Sequence, residues 1–125
     1  MALGLDTTNA ILKQLDVNFD ETTIIHVAGS NGKGTLCSLL SASFSLNCES
    51  NVMFSSPHLC RIEERIRLDG VPISGKEFDS CLATVRLTAE NLGIVPTFFE
   101  TTFLTAMVFC ARSRPKYLIL ETGLG

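Results

Sequence analysis

The residues with the most chemical content stand in one short string, Gly29-Ser30-Asn31-Gly32-Lys33-Gly34-Thr35. Its glycines let a backbone turn tightly with N–H groups directed inward, and without Cβ atoms they leave phosphate oxygens room to approach. Lys33 adds a mobile positive charge for β and γ phosphates, and the Thr35 hydroxyl can bond a phosphate or its metal. The string follows Thr23-Ile24-Ile25-His26-Val27-Ala28, a β-branched run that predicts a buried parallel strand. It precedes residues 35–46, which predict a helix whose dipole would direct its positive end at a bound anion. The spacing is GxxGK, with Gly34 interposed before Thr35, and so departs from the common GxxxxGK[ST] pattern. Taken alone, the loop fits an ordinary strand-to-helix turn about as well.

The surrounding elements alternate helix and strand. Residues 8–15 read as a short helix with Asp6 or Thr7 as its N-cap. Along 35–46, Leu36, Leu39, Leu40 and Phe44 predict an apolar stripe, and Ser38, Ser41 and Ser45 a small polar face. A short strand at 51–54 runs into the loop Ser55-Ser56-Pro57-His58-Leu59. Residues 65–68 and 71–73 suggest a hairpin around Asp69-Gly70. Ser74 with Glu77 forms a capping-box pattern for a helix running to about Leu92, stopped by Gly93. Thr97 with Glu100 repeats that pattern before a helix carrying Phe99, Phe103, Leu104, Met107 and Val108, which ends ahead of Pro115. Residues 117–121 read as a central core strand ending at Glu121. The alternation predicts an α/β fold with a mainly parallel sheet flanked by helices. A chain that stops one loop after a central strand is expected to be truncated.

Bulk composition narrows the partners. The 125 residues suit a single domain, and 46% hydrophobic against 18% charged residues marks a globular chain. A formal charge of −3 without a basic cluster argues against nucleic acid as a partner. No secretory h-region and no run of about 20 apolar residues is present, so no membrane partner is expected. The five cysteines form no CxxC pair and read as reduced thiols of a cytosolic protein.

The stretch Ile24-Ile25-His26-Val27-Ala28-Gly29-Ser30-Asn31-Gly32-Lys33-Gly34-Thr35 closely resembles the phosphate loop of the Mur ligase superfamily. The nearest branch is folylpolyglutamate synthase and dihydrofolate synthase. Three further blocks follow in that family's order: Ser55-Ser56-Pro57-His58-Leu59 with Glu64-Arg65-Ile66, Phe98-Phe99-Glu100 with Leu104-Thr105-Ala106, and Leu120-Glu121-Thr122-Gly123-Leu124-Gly125. The resemblance runs from about Leu3 onward. Ser30 stands where threonine is usual and Thr122 where valine is common, and neither change removes a group that phosphate binding needs.

The resemblance implies that residues 1–125 are the N-terminal part of a P-loop-type, Mur-ligase-like ATP-binding domain, with the C-terminal domain absent. It implies that Gly29 to Thr35 hold ATP, with Lys33 catalytic, and that Ser56 and Glu121 bind Mg²⁺. Chemistry agrees for Glu121, since a hard cation on phosphate oxygens takes one or two protein oxygens, and a strand's carboxyl end can supply one. The plainer alternatives are a solvated strand exit for Glu121 and a Ser-Pro turn for Ser56. Thr97, Phe98, Phe99 and Glu100 resemble the segment that touches the pteroate or folate, although Thr97 and Glu100 also suit a cap and one Phe suits the core. His26 is expected to be structural, His58 to orient a loop, and Arg65 and Arg67 to pair with acids across the hairpin. The implied reaction phosphorylates a folate or dihydropteroate carboxylate with ATP, and the amine of L-glutamate then attacks the acyl phosphate. Alternatives are a P-loop kinase or other NTPase, and an inactive nucleotide-binding fragment. A cytoplasmic monomer is expected, with a mitochondrial form conceivable in a eukaryote.

Overall fold

The computed structural model of the chain describes residues 5–28, 32–55 and 62–121. Its elements run in the order α1 (Leu5–Leu15), β1 (Thr23–Val27), α2 (Lys33–Leu46), β2 (Asn51–Phe54), a 3-10 turn (Ile62–Arg65), β3 (Ile66–Leu68), β4 (Val71–Pro72), α3 (Gly75–Leu92), α4 (Phe98–Ser113) and β5 (Tyr117–Glu121). They form two compact units: Phe19–Ser74 with Arg114–Gly125, and Ala2–Asn18 with Gly75–Ser113.

The first unit carries a five-stranded sheet in the order β1-β5-β2-β3-β4. β5 runs parallel to β1 on one side and to β2 on the other. The remaining pairs are antiparallel. The expected α/β class and the internal position of β5 both hold. The β3–β4 hairpin turns at Asp69 and Gly70, with φ of 52° and 85°. Two left-handed residues in succession are what a two-residue hairpin loop needs to match strand twist.

Helix α2 lies on one face of this sheet. Cys37 joins Val27, Met53 and Ile119 in a core against which Ile25, Leu40 and Phe44 pack. Phe44 stacks on Tyr117, ring centroids 3.9 Å apart. This corrects the expected stripe, because Leu36 and Leu39 are 48% and 62% exposed. Cys37 and Ser41 occupy the buried arc instead, and Ser41 is satisfied there by a hydrogen bond to Asn51 Oδ1 at 2.5 Å. A stripe drawn on hydrophobicity alone is therefore half right: Leu40 and Phe44 pack on the core, and Leu36 and Leu39 do not. The strand β1 is also corrected. As the sheet's edge it exposes Thr23, Ile24 and His26 and buries Val27, so His26 is not a core residue.

Asn51 ties this unit together. It is fully buried, accepts the Ser41 hydroxyl, and donates Nδ2–H to Ser45 Oγ and the Glu49 carbonyl, each at 3.1 Å. Its backbone N–H donates to Asp69 Oδ1 at 3.0 Å, and Asp69 N–H returns a bond to the Asn51 carbonyl at 2.8 Å. One amide side chain thus fixes α2, β2 and the hairpin turn with respect to each other.

The second unit is helical. Along α3, Phe78, Cys81, Val85 and Ala89 form the buried stripe. The helix stops at Gly93, φ 68°, where Ile94 N–H reaches the Ala89 carbonyl at 2.9 Å. Helix α4 opens with the expected reciprocal cap: Thr97 N–H donates to Glu100 Oε1 at 2.8 Å and Glu100 N–H to Thr97 Oγ1 at 3.1 Å. Arg112 near its end donates to Ser80 Oγ and Thr84 Oγ1 of α3. Helix α1 begins at Leu5, so Asp6 and Thr7 lie inside its first turn and do not cap it. An acid there complements the dipole from within the helix. Among the described residues no helix is long and apolar enough to cross a membrane.

Candidate functional site

The site grows from the junction of β1 and α2. Gly32 stands at the N-cap of α2 with φ 75° and ψ 3° and makes no side-chain cap. A left-handed φ favours glycine, since other L residues pay a steric cost there. The helix begins two residues earlier than expected, at Lys33, and its first turn contains no acid. No acid of that turn offsets the positive end of the helix dipole. Gly29, Ser30 and Asn31 lie outside the described residues, as does the position of the Lys33 side chain. Gly34 and Thr35 sit exposed in the first turn.

Opposite this turn stands Glu121. It pairs in register with Val27, so the acid ends β5 at the level where β1 gives way to the glycine loop. Its side chain is 7% exposed. A methyl group built on Gly34 would sit 3.9 Å from Glu121 Oε2. The absence of a side chain at Gly34 thus leaves the carboxylate facing the start of α2.

Both residues line one hollow of about 490 Å³. Its α2 wall is Gly34, Ser38, Ser41, Ala42 and Ser45, and facing them are Met53, Ser55, Arg67 and the Asp69-Gly70 turn. Ser55 is fixed by its N–H donating to the Arg65 carbonyl at 2.8 Å. The expected metal ligand Ser56 follows it and lies, with His58, outside the described residues. Gly34, Ser55 and Glu121, far apart in the chain, are therefore gathered around a single hollow. At the Gly34 end the side-chain donors are the oxygens of Ser55 and Glu121, which suit a hard cation that keeps some of its waters and takes further ligands from phosphate. Among the described residues no group of three or more His, Cys, Asp or Glu side chains gathers.

Arg65 and Arg67 divide. Arg65 is buried, and burial lowers its pKa from the ordinary arginine value. Arg67 lines the hollow and donates Nη1–H to the Gly70 carbonyl at 3.3 Å. Its expected acid partner across the hairpin is not found among the described residues. The part played by Arg67 and Ser38 as wall residues was not anticipated, although the serine periodicity along α2 signalled a face too small to fill the space beside it.

The expected substrate residues Thr97, Phe98, Phe99 and Glu100 belong to the helical unit. Thr97 and Glu100 bond each other in the cap, and Glu100 is buried. Phe99 is half-buried, whereas Phe98 is 60% exposed and lines an apolar hollow with Val85, Ala89, Val95 and Pro96. Of the two rings, Phe98 is the one presented outward.

No profile of a known protein family matches the chain. Individual proteins do. A dihydrofolate synthase/folylpolyglutamate synthase of Haemophilus influenzae is 35% identical over 124 residues, which are 98% of this chain and 28% of that protein. The structure of a bifunctional folylpolyglutamate synthase/dihydrofolate synthase from Yersinia pestis, complexed with AMPPNP and Mn ion, matches with a TM-score of 0.89 at 33% identity. That match covers 100% of this chain and 30% of the other. E. coli FolC in complex with DHPP and ADP matches with a TM-score of 0.90 at 30% identity, over the same two shares. By sequence and by fold the chain belongs with the folylpolyglutamate synthase/dihydrofolate synthase family, and it spans about 30% of the relatives it matches.

Proposed function

We propose that the chain is the ATP-binding part of a ligase that adds L-glutamate to a folate or dihydropteroate carboxylate through an acyl phosphate. The carrying observation is the approach of Glu121 to the first turn of α2 at Gly34, in a hollow that also reaches Ser55. In this reading Gly29 to Thr35 hold the triphosphate, and Lys33 neutralises charge on the transferring phosphoryl group. Glu121 and Ser56 would hold Mg²⁺, which supplies further charge neutralisation on the phosphate oxygens. The nucleotide analogue and Mn ion in the Yersinia pestis protein support a nucleotide and a divalent metal, and a carboxylate with serine hydroxyls as donors favours Mg²⁺. Phe98, with its outward ring, is the better candidate to stack on the flat heterocycle of the acceptor. Residues 1–125 would then form the N-terminal part of the ATP-binding domain.

The experiment is ADP release by the protein expressed from its complete coding sequence, with dihydropteroate or tetrahydrofolate as acceptor. Release that requires both acceptor and L-glutamate supports the ligase. Release indifferent to both would instead mark a simple nucleotide hydrolase on the same loop.

A further inference from the structure

We propose that the outer face of α3 is a self-complementary docking surface, on which two copies of the chain pair as a weak, reversible dimer. A monomer is expected from the sequence, and the order of charges along this helix argues otherwise. The pairing does not rest on the ligase reading.

Helix α3 buries Phe78, Cys81, Val85 and Ala89 within the helical unit. Its opposite face carries Lys76, Asp79, Ala83, Arg86, Leu87 and Glu90, all exposed, Leu87 by 60%. All of these but Lys76, together with half-buried Leu82, line a shallow hollow on that face. Glu77 is reached from α4 by Arg112 at 3.8 Å. Among the described residues, by contrast, Lys76, Asp79, Arg86 and Glu90 make no ion pair and no side-chain hydrogen bond.

Positions 76, 79, 83, 86 and 90 are spaced by three and four, so they run along one stripe of the helix. Ala83 stands at its centre. Moving outward from Ala83, the charges at matching steps are opposite: Asp79 against Arg86, and Lys76 against Glu90. That inversion about a centre is what an antiparallel helix needs to pair with its own copy, and a foreign partner would not require it. A two-fold dimer sets one surface patch against itself. With the axis at Ala83, Asp79 meets Arg86 of the second copy, and Lys76 meets Glu90 of the second copy. Each contact occurs twice. A parallel pair would instead set every charge beside its like, which is costly.

The apolar residues suit the same arrangement. Ala83 meets its own copy, and a small residue at that point lets the two helices approach closely. Leu82 and Leu87 flank the line of contact and lose water on pairing. The 18 residues of α3 span about 27 Å. A face of that length and one helix wide buries less than the roughly 1,200–2,000 Å² of a standard interface, so the dimer is a weak one.

The test is sedimentation equilibrium of the protein expressed from its complete coding sequence, from micromolar to submillimolar concentration. Wild type should move from the monomer mass toward twice that mass, and added salt should shift it back. Asp79→Arg and Arg86→Asp each set like charges at two contacts and should weaken association about tenfold or more. Both positions are exposed, so circular dichroism should show the variants folded. An equimolar mixture of the two variants regains opposite charges at those contacts and should associate as wild type does. Wild type that stays monomeric throughout, single variants that associate like wild type, or a mixture that stays monomeric each overturns the proposal.

Discussion

Val27 and Glu121 face each other in register at the carboxyl ends of the parallel strands β1 and β5. The glycine loop leaves the sheet immediately after the first residue, and the second is the acid that the loop's helix faces. Strand register therefore performs what sequence proximity cannot, since the two segments are separated by most of the chain. A slip of one residue would turn the Glu121 carboxylate to the other face of the sheet, away from α2.

Replacing that acid with its neutral isostere tests the metal role. In Glu121→Gln, the affinity for ATP in the presence of Mg²⁺ should fall about tenfold or more, a loss of ~1.4 kcal/mol. The affinity measured in EDTA should change little, so the gain that Mg²⁺ confers on wild type should largely vanish. Fluorescent-nucleotide titrations with and without the metal check this, and a wild-type Mg²⁺ dependence in the variant would remove Glu121 from the site.

Gly34 should separate stability from binding. A methyl group there meets Glu121 Oε2 at an ordinary contact distance of 3.9 Å, so the fold can accept it. Alanine should stabilise α2 by about 0.5–1 kcal/mol through its higher helix propensity. The same methyl would occupy space between the helix start and the acid, and nucleotide affinity should drop several-fold. A raised melting temperature with unweakened nucleotide binding would mean that ligand does not use this space.

Much of this arrangement was legible in the sequence, and the failures share a cause. The Thr97–Glu100 cap, the Gly93 stop, the Asp69-Gly70 turn and the internal strand at Tyr117–Glu121 are specified by local chemistry, and each stands as expected. Leu36, Leu39 and His26 were misplaced because their exposure depends on which strand forms the sheet's edge and which arc of α2 meets it. Those are tertiary facts that periodicity does not carry. Of the residues that line the hollow, Glu121 is marked in the sequence as an acid at a strand's carboxyl end, whereas Arg67 joins the wall only once the hairpin folds beside α2.

Asn51 should be among the most sensitive positions in the sheet unit. Asn51→Leu removes the partners of Ser41 and Ser45 and leaves buried hydroxyl and backbone groups to be satisfied elsewhere, at a cost on the order of 3 kcal/mol. Asn51→Asp loses the Nδ2 donors and sets a second carboxylate beside Asp69. Urea unfolding should show both variants destabilised, whereas Ser45→Ala alone costs roughly 1 kcal/mol.

The cysteines predict an alkaline limit. Burial pushes the Cys110 thiol up to about 12 and raises Cys81 as well, the latter against the opposing charge of Arg112. A thiol that keeps its proton longer in the folded chain than in the unfolded one contributes stability below the unfolded value of about 8.5. That contribution is lost as pH climbs from there toward 12, because the unfolded chain releases the proton first. Melting temperature should accordingly fall across this range, less steeply in Cys110→Ala. Alkylation of the native protein should strike the exposed Cys48 well before buried Cys37, Cys81 or Cys110.

The outer rim of β1 has a consequence for handling the protein. Among the described residues no strand adjoins it, and Ile24 stands there 49% exposed. Open amide and carbonyl groups beside an apolar side chain invite another polypeptide to zip on, which favours clumping during expression and concentration. Ile24→Lys would place a charge on this rim, three residues upstream of Val27, and should keep the 125-residue chain dispersed at concentrations where the parent precipitates.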